Sequence, residues 1–286
     1  MSEVDVKKPA GPAVVGGIGR KRLIWIFVIA ALVWAFAINT GSTVFMIIVG
    51  VLTALLLGVL LFAWRVLRKQ RRVVELLQGS VASPEARRDA LAKLTESKDA
   101  NSPVNVFARA QLQAADDPAG AIVLLDSVEL KVFPPQMQDD VSLLKVQLYL
   151  GLGRTAEARK SADLINLDNP GRAEIKPMAS ALVAEAWART GKSKEALKLL
   201  ESIKYPSDNR EQIEIQARVA RVFARFAGGQ RGAARNELNA LANTDPNHLG
   251  RFVMPQFRAH PELQKLARAV LQQHPSARQH VKGQAR

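Results

Sequence analysis

The hydrophobic pattern changes character along the chain. Leu23 to Ile38 contains neither a charged nor a polar residue, and after Asn39, Thr40, Gly41 and Ser42 an uncharged run continues from Thr43 to Trp64. As a helix the second run is about 33 Å long, enough to cross a hydrocarbon core of about 30 Å. The first reaches about 24 Å and must borrow the snorkelling Lys21 and Arg22 together with Asn39 and Thr40. The pattern therefore predicts two transmembrane helices closed by a tight turn, a hairpin over residues 21–72. From Val81 onward the texture is different: short amphipathic stretches broken by Gly, Pro, Asp and Asn, with hardly any strand alternation. That predicts an all-helical domain. Residues 1–20, with clustered Pro and Gly and no apolar period, read as a disordered basic tail. The expected fold class is all-α: two transmembrane helices, then a solenoid of helical repeats.

The flanking charges orient the hairpin. Arg20, Lys21 and Arg22 precede the first span, Arg65, Arg68, Lys69, Arg71 and Arg72 follow the second, and the turn carries no charge. Both termini are thus expected on the cytoplasmic side, and the Ala- and Arg-rich composition points to a bacterial inner membrane. A signal-peptide reading, with Ala35-Phe36-Ala37 at the cleavage site, would leave everything from Arg65 onward on the same side. Gly50, Ala54 and Gly58 in the second span, and Ala31 and Ala35 in the first, allow close backbone packing within the hairpin, in an oligomer, or against a partner's span. The basic cluster after Trp64 also suits anionic lipid of the bilayer, at about 1 kcal/mol per charge.

Within the helical region a period emerges. Gly153-Arg-Thr-Ala-Glu-Ala158 and Gly191-Lys-Ser-Lys-Glu-Ala196 share one pattern 38 residues apart, a more divergent copy runs from Gly229 to Ala234, and Asp116 to Ala121 precedes them. The register Ala121, Ala158, Ala196, Ala234 marks a repeated helix-turn-helix unit. Each Gly is expected to end a helix in the left-handed conformation, Thr155 or Ser193 to cap the next, Glu157 or Glu195 to meet its positive end, and the Ala to permit close packing. First helices are expected over Val141 to Leu152 and Met178 to Thr190, and second helices over Ala156 to Asn166 and Lys194 to Ile203, with Pro170, Pro206 and Pro246 stopping the second helices. Val141 to Leu150 alone can pass for a strand; the repeat register makes it helical.

These units resemble the tetratricopeptide repeat (TPR) family, whose paired antiparallel helices stack into a superhelix. Tyr149 and Trp187 take the family's aromatic place four before the turn Gly, Ala158, Ala196 and Ala234 its small residue, Leu200 and Leu238 its later apolar place, and Pro170 and Pro246 its closing Pro. The spacing of 37 or 38 residues is longer than the family's usual 34, Val146 and Val222 replace a small residue, and Arg225 replaces the third aromatic. The repeats are assigned to 103–247, with leading helices and linker over 73–102, helical segments near Arg65 to Leu77 and Pro84 to Ser97 forming a leading pair, and a basic capping helix and tail over 248–286, including Pro261 to Gln273. The order of two spans and then repeats is also similar to that of a bacterial membrane protein associated with haem biosynthesis, from which the very short turn between the spans departs.

Composition narrows the chemistry. The 286 residues include no Cys, which excludes disulfide frameworks, cysteine-based metal sites and thiol nucleophiles. All four His, at 248, 260, 274 and 280, sit in the last 40 residues with one nearby carboxylate, Glu262, and read as solvated turn residues. Gly191-Lys-Ser lacks the upstream Gly of a phosphate loop. No catalytic residues, cofactor or metal are expected, and the chain is read as a non-enzyme.

Charge is polarised. Residues 81–170 hold 10 basic and 13 acidic side chains, whereas 171–286 hold 20 and 10. Arg218, Arg221 and Arg225 fall at i, i+3 and i+7 on one helix stripe, read as open to solvent because the other faces are apolar. By resemblance this helix lines the family's concave groove. The stripe suits an acidic partner, with a solvated face as the alternative; nucleic acid fits least, because the tail lacks aromatics interleaved with its basic residues and a membrane anchor is an unusual location for such binding. The functional expectation is a membrane-anchored scaffold or adaptor that binds a protein partner at the cytoplasmic membrane face. The alternative is an accessory or regulatory subunit of a membrane enzyme or transporter, with the hairpin making the main contacts.

Overall fold

The structure is a computed structural model that describes residues 83–274. The two expected spans, their basic flanks, the first of the two leading helices and the N-terminal tail lie outside the described residues, as does His280. No helix among the described residues is long and apolar enough to cross a membrane. Those residues form eleven α-helices and short 3-10 turns, with no strand. The helices are α1 (Pro84–Thr95), α2 (Pro103–Gln113), α3 (Pro118–Asp126), α4 (Pro135–Gly151), α5 (Thr155–Ala162), α6 (Lys176–Ala188), α7 (Ser193–Glu201), α8 (Arg210–Ala227), α9 (Arg231–Thr244), α10 (Gly250–Val253) and α11 (Pro261–Gln273). The chain divides between Ala90 and Leu91, inside α1, into two units, and the helix pairs below all belong to the second.

Four antiparallel pairs follow one another: α2/α3, α4/α5, α6/α7 and α8/α9. Within each the two helices pack together, and the second packs on the first helix of the next pair. The turns of the last three are copies of one device. Gly153, Gly191 and Gly229 have φ of 68°, 91° and 76°. The following N–H groups of Arg154, Lys192 and Gln230 donate to the carbonyls of Tyr149, Trp187 and Arg225 at 2.8, 2.9 and 2.8 Å, the Schellman closure that satisfies a helix's last acceptors. The aromatic place of the repeat is thus the residue whose carbonyl shuts the turn. An Arg at 225 closes it equally well because the bond uses backbone alone.

Past each turn the small residue lands in the same environment. Ala121, Ala158, Ala196 and Ala234 are each 0% exposed. Their N–H groups donate to the carbonyls of Asp117, Arg154, Lys192 and Gln230. A side chain longer than a methyl has no room where two helices meet this closely.

Several local expectations are corrected. Thr155 and Ser193 are the first helical residues and do not cap; the preceding Arg154 and Lys192 make no side-chain cap bond. Glu157 does lie in the first turn, where Arg154 bonds it at 2.8 Å. Helix α5 ends at Ala162, well short of Pro170, which opens a 3-10 turn instead, and α7 ends at Glu201 before Pro206. Only Pro246 directly follows a helix end, behind the Asp245 cap that receives the Asn247 N–H. The segment 163–175 is held by hydrogen bonds from Asn166 and Asn169 to Asp139 and by the Arg172–Asp140 ion pair. These side-chain contacts displaced the helical continuation read from the sequence. Helix α4 begins at Pro135, six residues before the expected Val141, because Pro suits a first helical turn.

Two apolar cores are formed, one around Val106, Ile122, Leu125, Phe133 and Leu150, the other around Phe223, Leu238, Leu249 and Phe252. Trp187 packs against both. Tyr149, at the preceding unit's aromatic place, is buried, and its hydroxyl donates to Asp126 at 2.7 Å; burial, then that bond, pushes the phenol up to about 12. The C-terminal residues after α9 do not simply continue the stack. Phe252 and Leu249 are fully buried, Phe223 and Phe252 have ring centroids 5.1 Å apart, and Pro255–Phe257 returns to α4. Helix α6 is consequently buried on nearly every side from Ala179 to Ala188, as its all-round apolar sequence requires.

Residues 246–260 form a C-terminal strap that makes the turn glycines unequal. A Cβ at Gly191 would meet nothing within 4 Å, whereas one at Gly153 would stand 2.8 Å from the Gln256 carbonyl oxygen. Gly191→Ala is expected to cost about 1–2 kcal/mol, the penalty of a left-handed L-residue. Gly153→Ala should cost about 1–3 kcal/mol more from overpacking. Urea unfolding midpoints check this; equal losses would mean that the Gln256 backbone does not rest on the Gly153 turn.

Candidate functional site: an arginine face and a buried glutamate

Arg218, Arg221 and Arg225 share one face of α8, but that face is not the open surface expected. All three reach the single carboxylate of Glu237 on α9, Arg218 at 3.4 Å, Arg221 at 3.7 Å and Arg225 at 3.5 Å. Arg218 also holds Glu214 at 2.7 Å, which lowers the Glu214 carboxyl below its ordinary value, and Arg221 donates to the Tyr205 hydroxyl at 2.6 Å. The side chains are 30%, 21% and 32% exposed, that of Glu237 only 11%. Sequence spacing found the stripe; it missed Glu237, which lies on the next helix at the step beyond the turn.

The stripe lies on the side of α8 away from the C-terminal strap. At 100° per residue the three Arg side chains lie between about 140° and 200° around α8 from Gln216. Gln216 donates to Glu185 of α6 at 2.7 Å, so it marks the side of α8 turned to the C-terminal strap. The arginines emerge on the opposite side, where Arg221 and Arg225 meet α7 and the segment after it. There a cavity of about 260 Å³ is lined by Leu197, Leu200, Ile203, Tyr205, Arg221 and Arg225, with Glu201. Arg218 borders a wider cleft of about 620 Å³ shared with Asn209, Arg210, Glu211, Ile215 and Ala240.

On the strap side sits an ionic cluster that the repeat pattern did not disclose. Glu185 is 0% exposed, and Arg251 meets both its carboxylate oxygens at 3.1 and 3.0 Å while also donating to Gln216 at 2.7 Å. Arg189, with its side chain 4% exposed, lies 3.3 Å from Glu185 and donates to the carbonyls of Leu150 and Phe257. Its guanidinium stacks over Phe223 at 4.7 Å. Burial pulls the Arg189 guanidinium below its usual value, and the Glu185 charge opposes this. The cluster ties α4, α6 and α8 to the strap. Its signal in the sequence was the lone carboxylate within Met178–Ala188, since a buried charge needs a partner.

The remaining candidates resolve simply. Gly191-Lys-Ser is the Schellman turn between α6 and α7. His260 is exposed, as expected, and is also the N-cap of α11, accepting from the Glu262 N–H at 3.2 Å, with its ring 5.5 Å from that of Phe226. Among the described residues no group of three or more His, Asp or Glu is placed to hold a metal ion. The membrane-flanking residues lie outside the described region. No family model matches the chain, and comparison with curated proteins finds no match.

Proposed function

We propose that the chain is a membrane-tethered, TPR-like scaffold that holds a protein partner at the cytoplasmic face of a bacterial inner membrane. The observation that carries this reading is the constancy of the unit: the same Ala register is fully buried in four successive helix pairs, and three turns close identically. Such an array presents surface and has no need of reactive groups. The membrane half of the proposal rests on the two uncharged runs, Leu23–Ile38 and Thr43–Trp64, and on their basic flanks.

Two measurements test the halves separately. Single Cys residues placed at Ser2 and Ser276 are expected to be shielded from impermeant thiol reagents in intact cells, and one at Ser42 to label; labelling at 276 from outside would refute the cytoplasmic assignment. Affinity capture with the full chain and with residues 81–286 should retrieve the same partner. A partner retrieved by the full chain alone would favour the alternative, an accessory subunit whose hairpin makes the contacts.

A further inference from the structure

The arginine face shares its carboxylates unevenly. Arg218 has Glu214 at 2.7 Å in addition to Glu237, but among the described residues Arg225 has one ion pair, the 3.5 Å contact to a Glu237 carboxylate that serves three guanidiniums. Arg221 and Arg225, which depend on that shared carboxylate, line the smaller cavity together with Glu201. The phenol of Tyr205, whose oxygen already accepts from Arg221, has its own proton to donate there. The walls beside these groups are aliphatic: Leu197, Leu200 and Ile203. Glu201 is the single carboxylate of the lining, and it is exposed at the end of α7.

We propose that the cleft between α7 and α8 docks an extended acidic-aliphatic segment of the partner protein, one carboxylate of which is received by Arg221, Arg225 and the Tyr205 hydroxyl. This rests on the scaffold reading and names the chemistry of its partner. Guanidinium groups bind carboxylate through paired, charge-assisted hydrogen bonds. A volume of about 260 Å³ takes one or two side chains and excludes a helix. Charge complementarity favours the acidic partner over a basic one, because Arg221 and Arg225 line the cleft against the one carboxylate of Glu201. The face of α6 and α8 on the strap side offers no such place, since Arg251, Phe252 and Phe257 already cover it.

The test uses the full chain in a neutral detergent and a fluorescein-labelled peptide of four alternating Glu-Leu pairs, followed by fluorescence anisotropy. Saturable binding is expected, at least tenfold tighter than that of the Gln-Leu counterpart and weakening with salt as screening shortens to about 8 Å at physiological ionic strength. Arg221→Gln with Arg225→Gln should weaken it at least tenfold. Removing the same charge elsewhere, by Lys265→Gln with Arg268→Gln on α11, should change it less than twofold. Tyr205→Phe keeps both arginines and the ring, and should weaken binding about threefold, which protects the test if the double variant folds poorly. Absence of binding, equal binding of the Gln-Leu peptide, or equal losses in the two double variants would overturn the cleft. Affinity capture separates this from the broader reading: a partner retained by the Arg221→Gln, Arg225→Gln chain leaves the scaffold standing with its site elsewhere, whereas no partner for either chain removes both.

Discussion

Replacing Glu185 by alanine is expected to destabilise residues 81–286 by about 3–5 kcal/mol, the cost of breaking a buried ion pair by removing one partner. The loss has little to do with the attraction itself. Arg189 is 4% exposed on its side chain, and without Glu185 it keeps its charge with only carbonyl acceptors and the face of Phe223 around it. Arg251→Ala should cost less, about 1–3 kcal/mol, because Glu185 retains Arg189 and the Gln216 amide. Glu185→Met combined with Arg189→Met should recover part of the loss, since a buried pair exchanged for apolar groups of similar volume is often close to neutral. Urea unfolding followed by circular dichroism measures all three. A loss under about 1 kcal/mol for Glu185→Ala would mean that water reaches the cluster. Limited proteolysis adds a local readout: Arg251→Ala should open the strap between Pro246 and Pro261 to cleavage before the helix pairs unfold.

The helix pairs were legible in the sequence because their signals are local. A left-handed Gly and a crowded Ala are required by backbone geometry within one turn of chain, so they recur at fixed spacing whatever the surroundings. Helix ends were less legible. Asp139 and Asp140 reach forward to residues 166–172, and contacts spanning some 30 residues leave no periodic trace. The site failed in the same way. Helical spacing correctly placed Arg218, Arg221 and Arg225 on one stripe, yet a stripe of cations reads as solvent-facing unless the carboxylate opposite it is known, and Glu237 belongs to the following helix. The direction of the stripe depended on which side of α8 the C-terminal strap occupies. Nothing in the period specifies that strap, because it is made by residues after the last repeat. Glu185 alone among a run of apolar residues was the one trace of it.

The repeat register is tested most sharply where two units join. Trp187 belongs to α6 and touches both apolar cores, while its indole N–H donates to Asp163, behind α5, at 3.0 Å. Arg159 and Lys192 lie over the ring at 5.6 and 5.9 Å. Truncation therefore opens a void shared by two cores, strands the Asp163 carboxylate with Arg159 alone, and uncouples the second pair from the third. Trp187→Ala is expected to cost about 3–5 kcal/mol in residues 81–286. Ala196→Leu probes the opposite failure at the same unit, forcing extra atoms into a position that is 0% exposed where α7 meets its neighbours, at about 1–3 kcal/mol. The two changes should also differ in kind. Trp187→Ala ought to broaden the unfolding transition or split it, as stacked units with a weakened interface lose cooperativity. Ala196→Leu should shift the midpoint of a single transition. Near-wild-type melting for both variants would mean that the units are joined elsewhere, and that the Ala register marks only the turns.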